Sequence, residues 1–243
     1  MVRKIIVLVF TALIFQGFQC KAIINEMTGE RIEGSGNIIT KNLDLSEFNS
    51  VNFSTAGKVY VKQGNNQSVS LSVDDNIMEY IVAEVKSGKF HIGKESEVRL
   101  KDFKLEVRIT MRDLESLSTS SAGDIIGEGK FTADDVRFSV SSAGDMTIEI
   151  DAETIETNLS SAGDFRISGS AKTHDVTVSS AGDLKAFDLI TESTTVGASS
   201  AGDAEVYATK TLNASISSAG SVYYKGDPKT SVSRSSAGRL IKK

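Results

Sequence analysis

Carboxylates recur at a nearly fixed spacing in the second half of this 243-residue chain. The pentapeptide Ser-Ser-Ala-Gly-Asp stands complete five times, ending at Asp124, Asp145, Asp164, Asp183 and Asp203. Altered copies, with Ser or Arg in place of the aspartate, follow at Ser217–Ser221 and Ser235–Arg239, and Ser54–Lys58 is an early echo. If each repeat is one coil of a stack, the five side chains lie about 4.8 Å apart. We call them the aspartate row.

Three interpretations of the aspartate row are open. Each carboxylate can accept backbone N–H hydrogen bonds within its own turn, as aspartates do in Asx-turns. Carboxylates in a row also suit a hard cation such as Ca²⁺, but each coil supplies one carboxylate and calcium takes about six to eight oxygen ligands. In the third interpretation, the row is an edge that binds a glycan or a protein partner. We expect no cofactor except, under the second interpretation, calcium.

The second serine of each motif, two residues before the glycine, forms another row. Strand alternation through the motif predicts that this row faces inward, where stacked hydroxyls hydrogen-bond to one another and to the backbone at the corner. Its members are Ser121, Ser142, Ser161, Ser180, Ser200, Ser218 and Ser236.

Catalytic combinations are weak. A serine nucleophile needs a base, and the chain has two histidines, His91 and His174, of which the second is followed by Asp175 in a predicted exposed turn. The adjacent acids Asp74–Asp75 and Asp134–Asp135 could be the paired carboxylates of a carbohydrate-active enzyme. Such enzymes on β-helices build their clefts from long loops. Coils of about 20 residues leave few residues for loops once the strands and turns are formed. No P-loop, dinucleotide fingerprint or zinc-ligand spacing is present, so we predict no catalytic residues.

The spacing of the motif glycines predicts the structure that positions these rows. Successive glycines are 21, 19, 19, 20, 18 and 18 residues apart, and a period near 20 is typical of a solenoid. Residues two after and four before each glycine are mostly apolar, as expected for strands with one buried face. We therefore predict an all-β fold, a single-stranded parallel β-helix with coils of 18–21 residues. The glycines form structural corners, through backbone conformation or through a closeness that a Cβ would forbid: Gly57, Gly123, Gly144, Gly163, Gly182, Gly202, Gly220 and Gly238.

Residues 34–119 are less regular and predict degenerate coils with an insertion. Apolar alternation predicts strands around Leu71 and Val107. Asp74-Asp75-Asn76 is a candidate N-cap for a short helix that runs to Ile81. Ser87–Gly88 lies between two further strands and predicts a hairpin turn. Residues 34–243 are thus predicted to be one β-helical domain, whose regular coils extend from 120 to 243.

The N-terminus indicates export. Residues 1–22 resemble a signal peptide, with Arg3 and Lys4 before the apolar run Ile5–Phe15, and residues 23–33 are polar and predict a tether. Cys20, the only cysteine, is a possible lipidation site, while cleavage after Ala22 is the alternative. The expected location is the periplasm, the outer-membrane surface or the medium. Membrane contact is expected only through the lipid anchor.

The charge balance bears on partners. The net charge is −5, which is a poor electrostatic match for nucleic acid or anionic lipid. We therefore expect no nucleic-acid partner. A surface glycan or an envelope protein is the expected kind of partner.

Several short motifs precede the regular coils in a recognisable order. They are Gly34–Asn37, Phe48–Val51, Val59–Gly64, Asp74–Ile77 and Val85–Ile92. Followed by Ser-Ala-Gly-Asp coils, this order resembles the head GIN domain family of proposed auto-transporter adhesins, common in Bacteroidetes. The resemblance covers roughly residue 32 to the C-terminus. It implies an exported β-helical envelope protein with no catalytic residues to carry over, although the chain shows no long passenger domain or translocating barrel.

These observations predict an exported, non-enzymatic envelope protein that acts as an adhesin or as a scaffold for a glycan or protein partner. The alternatives are a carbohydrate-active enzyme and a calcium-binding structural solenoid.

Overall fold

A computed structural model describes residues 30–243, which form an almost entirely β structure. Within this described range the strands form two sheets, a large one of 16 strands and a small one of two. The strands are β1 (Glu30–Glu33), β2 (Ile38–Leu43), β3 (Ser50–Phe53), β4 (Gly57–Gln63), β5 (Ser68–Asp74), β6 (Ile81–Lys86), β7 (Lys89–Lys94), β8 (Val98–Lys101), β9 (Leu105–Met111), β10 (Ser116–Thr119), β11 (Gly123–Val140), β12 (Asp145–Leu159), β13 (Asp164–Val178), β14 (Asp183–Ala198), β15 (Asp203–Ile216), β16 (Ser221–Lys225), β17 (Lys229–Arg234) and β18 (Arg239–Lys242).

The regular half is a parallel β-helix, as the period predicts. Each of β11 to β15 runs through a whole coil and pairs in parallel with the strand of the next coil. Pairing continues through the middle of each coil, where residues such as Asp151 and Ala152 in β12 still pair with Ser170 and Ala171 in β13. Each of these five coils is therefore one long strand.

Each coil closes through a tight turn made by Ser-Ser-Ala-Gly. In the turn Ser160–Gly163, the N–H of Gly163 donates to the carbonyl oxygen of Ser160 at 3.0 Å. Ser161 and Ala162 between them have φ angles of 52° and 60°, and two positive φ angles are the mark of a type I′ turn. The turns also bond to one another, since the N–H of Ala162 donates to the carbonyl oxygen of Ser180 in the next coil at 3.1 Å.

The core is a continuous apolar stack inside the coils. The residue two after each motif glycine is buried from Ile125 to Val222, and the residue four before it is buried from Val140 to Ile216. Phe138 and Phe165 lie in contact, with ring centroids 5.1 Å apart. In the last coil Arg234 takes the second of these positions and is exposed. A charge there disfavours pairing of this edge with another strand.

The N-terminal half adds antiparallel strands to the stack. β5 lies antiparallel to β2 and β9, and β6 and β7 form the predicted hairpin around Ser87–Gly88. The predicted helix is only one 3-10 turn, Met78–Tyr80, and no side chain caps it. The N-cap prediction for Asp74-Asp75-Asn76 is therefore wrong.

Those three residues instead hold the segment before β2 in place through hydrogen bonds. The Asp74 carboxylate accepts hydrogen bonds from the backbone N–H groups of Gly36 and Lys104 at 2.6 and 2.7 Å. Asp75 accepts hydrogen bonds from the side chains of Ser35 and Asn37. The two separate motifs of the resemblance, Gly34–Asn37 and Asp74–Ile77, thus bind each other.

The folded region extends into the predicted tether. β1 (Glu30–Glu33) pairs in parallel with β8, so four residues of the segment 23–33 belong to a sheet. The predicted signal segment 1–22 and Cys20 lie outside the described residues. Within residues 30–243, no helix has the length and apolarity needed to cross a membrane.

Candidate functional site

The structure places the five predicted aspartates in one row, in register from coil to coil. Asp124 pairs with Asp145, Asp145 with Asp164, Asp164 with Asp183, and Asp183 with Asp203. Each follows the glycine that ends its turn, so the type I′ turns set the position of the row. Polar side chains bound it: Lys58 pairs with Asp124 at one end, and Ser221 and Arg239 continue it at the other.

At the centre of the aspartate row, partial burial and neighbouring carboxylates disfavour the charged form of Asp145. Partial burial raises the pKa of Asp145, and the carboxylates of Asp124 and Asp164 raise it further. Lys185 offsets part of this charge, with its Nζ 3.0 Å from Asp183 and 3.6 Å from Asp164. The side-chain carboxylates of Asp124, Asp145 and Asp203 make no hydrogen bond or ion pair with the described part of the protein. Their oxygens are free to accept hydrogen bonds from a ligand.

The Asx-turn interpretation of the aspartate row is wrong. No backbone N–H group between residues 30 and 243 donates to any of the five carboxylates. The turn is closed by backbone groups alone, because the Gly N–H already bonds to the first serine.

The fold of the described residues does not bring together a cluster of calcium ligands. Across residues 30–243, no group of three or more His, Cys, Asp or Glu side chains is placed to hold one metal ion. In-register stacking spreads the carboxylates along the axis, with one in each coil.

The second serine of each motif faces outward, so the predicted inward serine row is wrong. Ser121 and its six equivalents are exposed. Two consecutive residues with positive φ turn the chain, and the simple alternation of strand side chains does not continue through them. The motif therefore presents both its second serine and its aspartate to solvent.

The motif glycines are corners because of close packing. All of them except Gly57, which has φ 136°, have φ outside the left-handed region. A Cβ at Gly163 would lie 2.8 Å from the carbonyl oxygen of Val140 in the preceding coil. The sequence left two explanations for these glycines, an unusual backbone conformation or close packing that leaves no room for a Cβ. In the regular coils the explanation is close packing.

The remaining catalytic candidates do not form one site. His174 is buried in β13 instead of exposed in a turn, and its Nε2 lies 3.0 Å from the Thr157 hydroxyl. Burial lowers the pKa of His174 to about 3, so the ring is neutral at physiological pH. In the Asp74–Asp75 pair, Asp74 is buried and bonded to backbone. Asp134–Asp135 do lie together, in an open acidic depression of about 720 Å³ with Asp113 and Glu115.

A second row runs beside the aspartate row on the same outer surface. In-register pairing joins Arg108, Tyr60, Ile126, Thr147, Arg166, Lys185, Glu205 and Tyr223 in this order. We call the two rows together the aspartate face. Sequence reasoning missed the second row, since the Ser-Ser-Ala-Gly-Asp motif does not include it; its signal is the position two residues after each aspartate.

The N-terminal end of the aspartate face is concave. An open depression of about 620 Å³ is lined there by Tyr60, Arg108, Glu128 and polar residues of β2, β5 and β9. The guanidinium of Arg108 lies 4.4 Å from the centre of the Tyr60 ring. Its Nε donates to Glu106 at 2.8 Å and its Nη1 to Glu128 at 3.1 Å. We call this depression the Tyr60 cleft.

Comparison with known proteins identifies sequence and fold relatives. The sequence model of the family described as "Putative auto-transporter adhesin, head GIN domain" matches residues 47–228, three quarters of the chain. No curated protein matches the chain significantly.

Solved structures share the fold. A "putative adhesin" from Bacteroides fragilis superposes with a TM-score of 0.83 at 24% identity, covering 87% of this chain and 100% of that one. A "putative lipid binding protein" from Parabacteroides distasonis gives 0.73 at 24% identity, over 88% and 100% of the two chains. A "putative adhesin" from Parabacteroides merdae gives 0.71 at 18% identity, over 88% and 99%. At these identities the likeness establishes the fold alone.

Proposed function

Because the chain belongs to the head GIN domain family, we propose that it is an exported, non-enzymatic adhesin that binds an extended glycan along the aspartate face. Its expected location is the periplasm, the outer-membrane surface or the medium. The observation that carries this proposal is the in-register stacking of Asp124, Asp145, Asp164, Asp183 and Asp203. A surface that repeats in every coil suits a ligand that repeats along its length.

The chemistry of the face fits sugar hydroxyls. Ionised carboxylates are strong acceptors of hydrogen bonds from O–H groups, and the unpaired members of the aspartate row have this capacity free. Arg166 and Lys185 in the neighbouring row supply donors. Because carboxylates outnumber cations on the face, a neutral glycan fits better than a sulfated or uronic one.

Binding to immobilised polysaccharides tests this proposal. The panel contains neutral polymers (laminarin, mannan and arabinan) and anionic ones (polygalacturonate, chondroitin sulfate and heparin). We expect the folded protein to bind at least one neutral polymer without releasing reducing sugar. A variant with all five row aspartates changed to Asn should bind that polymer about tenfold more weakly, because an interface depends on a few central groups.

The matched control changes five exposed acids away from the face, which alters net charge equally: Asp134, Asp135, Glu153, Asp175 and Glu192. It should bind like the wild type. The proposal would be overturned if the wild type binds none of the neutral polymers, or if the aspartate-row variant binds as well as the wild type. Release of reducing sugar would support the carbohydrate-active enzyme instead, with Asp134 and Asp135 as the first residues to test.

A further inference from the structure

We propose that the Tyr60 cleft is a saccharide-binding subsite, which holds one neutral sugar unit at the N-terminal end of the aspartate face. This inference rests on the proposed glycan-binding function and assigns it a specific place. It depends on three features of the cleft: a fixed aromatic and guanidinium pair, free hydrogen-bonding capacity, and balanced charge.

Tyr60 and Arg108 form a preorganised pair. They are direct cross-strand partners on β4 and β9, and the cation–π contact of 4.4 Å holds ring and guanidinium against each other. Glu106 and Glu128 bind Arg108 from two sides. The guanidinium covers one face of the half-buried Tyr60 ring, so a pyranose would place its C–H groups against the part of the ring that stays exposed, a rigid apolar surface with little side-chain entropy to lose.

Hydrogen-bonding groups of the right kind surround this pair. An arginine has five N–H donors, and the Nη2 group of Arg108 donates to no partner within residues 30–243. Glu128 accepts a hydrogen bond from Arg108 through Oε1, which leaves Oε2 available. Amides and hydroxyls complete the lining, including Asn42, Ser70 and Thr110. Such groups can donate to and accept from neighbouring hydroxyls of one sugar.

The charge of the lining selects among saccharides. Two cations, Lys62 and Arg108, and two anions, Asp44 and Glu128, line the cleft. This balance offers no net attraction for a sulfate or carboxylate group, so a neutral hexose or pentose unit is the expected occupant. The cleft is also continuous with the aspartate face, because Tyr60 pairs with Ile126 at the start of the first regular coil.

Side-chain variants on the same polysaccharide panel test the subsite. Tyr60→Ala and Arg108→Gln should each weaken binding to the neutral polymer about tenfold, as expected for central anchors of an interface. Tyr60→Phe keeps the ring and should bind nearly as well as the wild type. The matched control is Phe187→Ala, because the Phe187 ring also contacts a cation, Lys225, at 4.5 Å, but lies outside the cleft and outside both rows of the aspartate face. Thermal melting confirms that each variant folds.

The outcomes separate this inference from the proposed function. If the wild type binds and the Tyr60 and Arg108 variants bind equally well, the subsite is wrong while the adhesin proposal stands. If Phe187→Ala weakens binding as much as Tyr60→Ala, the aromatic contact is not specific to the cleft and the subsite is again wrong. If the wild type binds none of the neutral polymers, both proposals fail.

Discussion

The Oδ1 atom of the buried Asp74 accepts a 2.6 Å hydrogen bond from the backbone N–H of Gly36. The other carboxylate oxygen accepts one of 2.7 Å from the N–H of Lys104. One side chain thus joins the segment before β2 to the segment before β9, at the end of the stack where the regular turns are absent. A buried carboxylate that accepts from backbone N–H groups is a strong pairing.

Asp74→Asn should destabilise the protein by about 1–3 kcal/mol, because the amide nitrogen would face an N–H donor and leave it unsatisfied. Urea unfolding at pH 7 measures this loss. Asp75→Asn is the control, since Asp75 is exposed and its groups can bond to water instead. Equal losses in the two variants would contradict the role of Asp74.

His174 should make stability depend on pH. Burial lowers its pKa from 6.5 to about 3, so the unfolded chain binds a proton that the folded chain excludes. The stability that comes from keeping this ring neutral is fully present above pH 6.5 and is lost as the pH falls from 6.5 towards 3. By pH 5 the loss amounts to about 2 kcal/mol. Melting temperatures between pH 8 and 4 check this, with His174→Gln as the comparison. The variant should lose less stability on acidification, and an unchanged slope would rule out His174 as the cause.

Asp145→Asn should stabilise the protein at neutral pH. Burial and the carboxylates of Asp124 and Asp164 raise the pKa of Asp145, so the folded state binds a proton more readily than the unfolded state. Stability from this group is therefore lost as the pH rises through its pKa. The gain in the Asn variant should be less than about 1 kcal/mol, because the side chain is exposed to solvent.

The matched control for this effect is Asp203→Asn, whose neighbour on one side is Ser221. At pH 7, Asp203→Asn should gain less stability than Asp145→Asn. The gain of Asp145→Asn should also disappear at pH 3, where the native carboxyl group is protonated. A loss of stability on Asp145→Asn at pH 7 would show that the row is held together by interactions of the charged form.

Gly163→Ala should destabilise the coil stack by about 1–3 kcal/mol, because overpacking forces backbone shifts. The added Cβ would lie 2.8 Å from the carbonyl oxygen of Val140. Gly197→Ala is the comparison, since its Cβ would have its nearest contact at 3.8 Å. Urea unfolding of both variants decides the matter: similar stabilities would mean that the turn accommodates a methyl group.

The strands could be predicted where side chains simply alternate. Val69, Leu71 and Val73 are all buried in β5, as expected from their spacing. Alternation failed at the turn, where Ser161 and Ala162 both take positive φ angles that L-residues other than Asn and Asp seldom adopt. Nothing in Ser-Ala predicts a type I′ turn, which usually contains Asn-Gly. The turn depends on hydrogen bonds between coils, which a local pattern does not contain.

The candidate site was only partly predictable for the same reason. The motif predicted the aspartate row, but the Tyr60 cleft combines residues from β4, β9 and β11 that are far apart in sequence. Ion pairs between coils did leave a signal, because opposite charges stand one period apart. Lys130 lies 2.6 Å from Asp151, and Lys210 lies 2.6 Å from Glu192. Comparing charges at that spacing would have found them.

The dependence of affinity on glycan length tests the central claim most directly. The five carboxylates span about 19 Å at the spacing of stacked strands. Isothermal titration with oligosaccharides of increasing length, cut from the neutral polymer that the wild type binds, should show Kd falling with each added sugar until this span is covered. Affinity should then level off. A Kd that is the same for the disaccharide and the longest oligomer would contradict binding along the aspartate face.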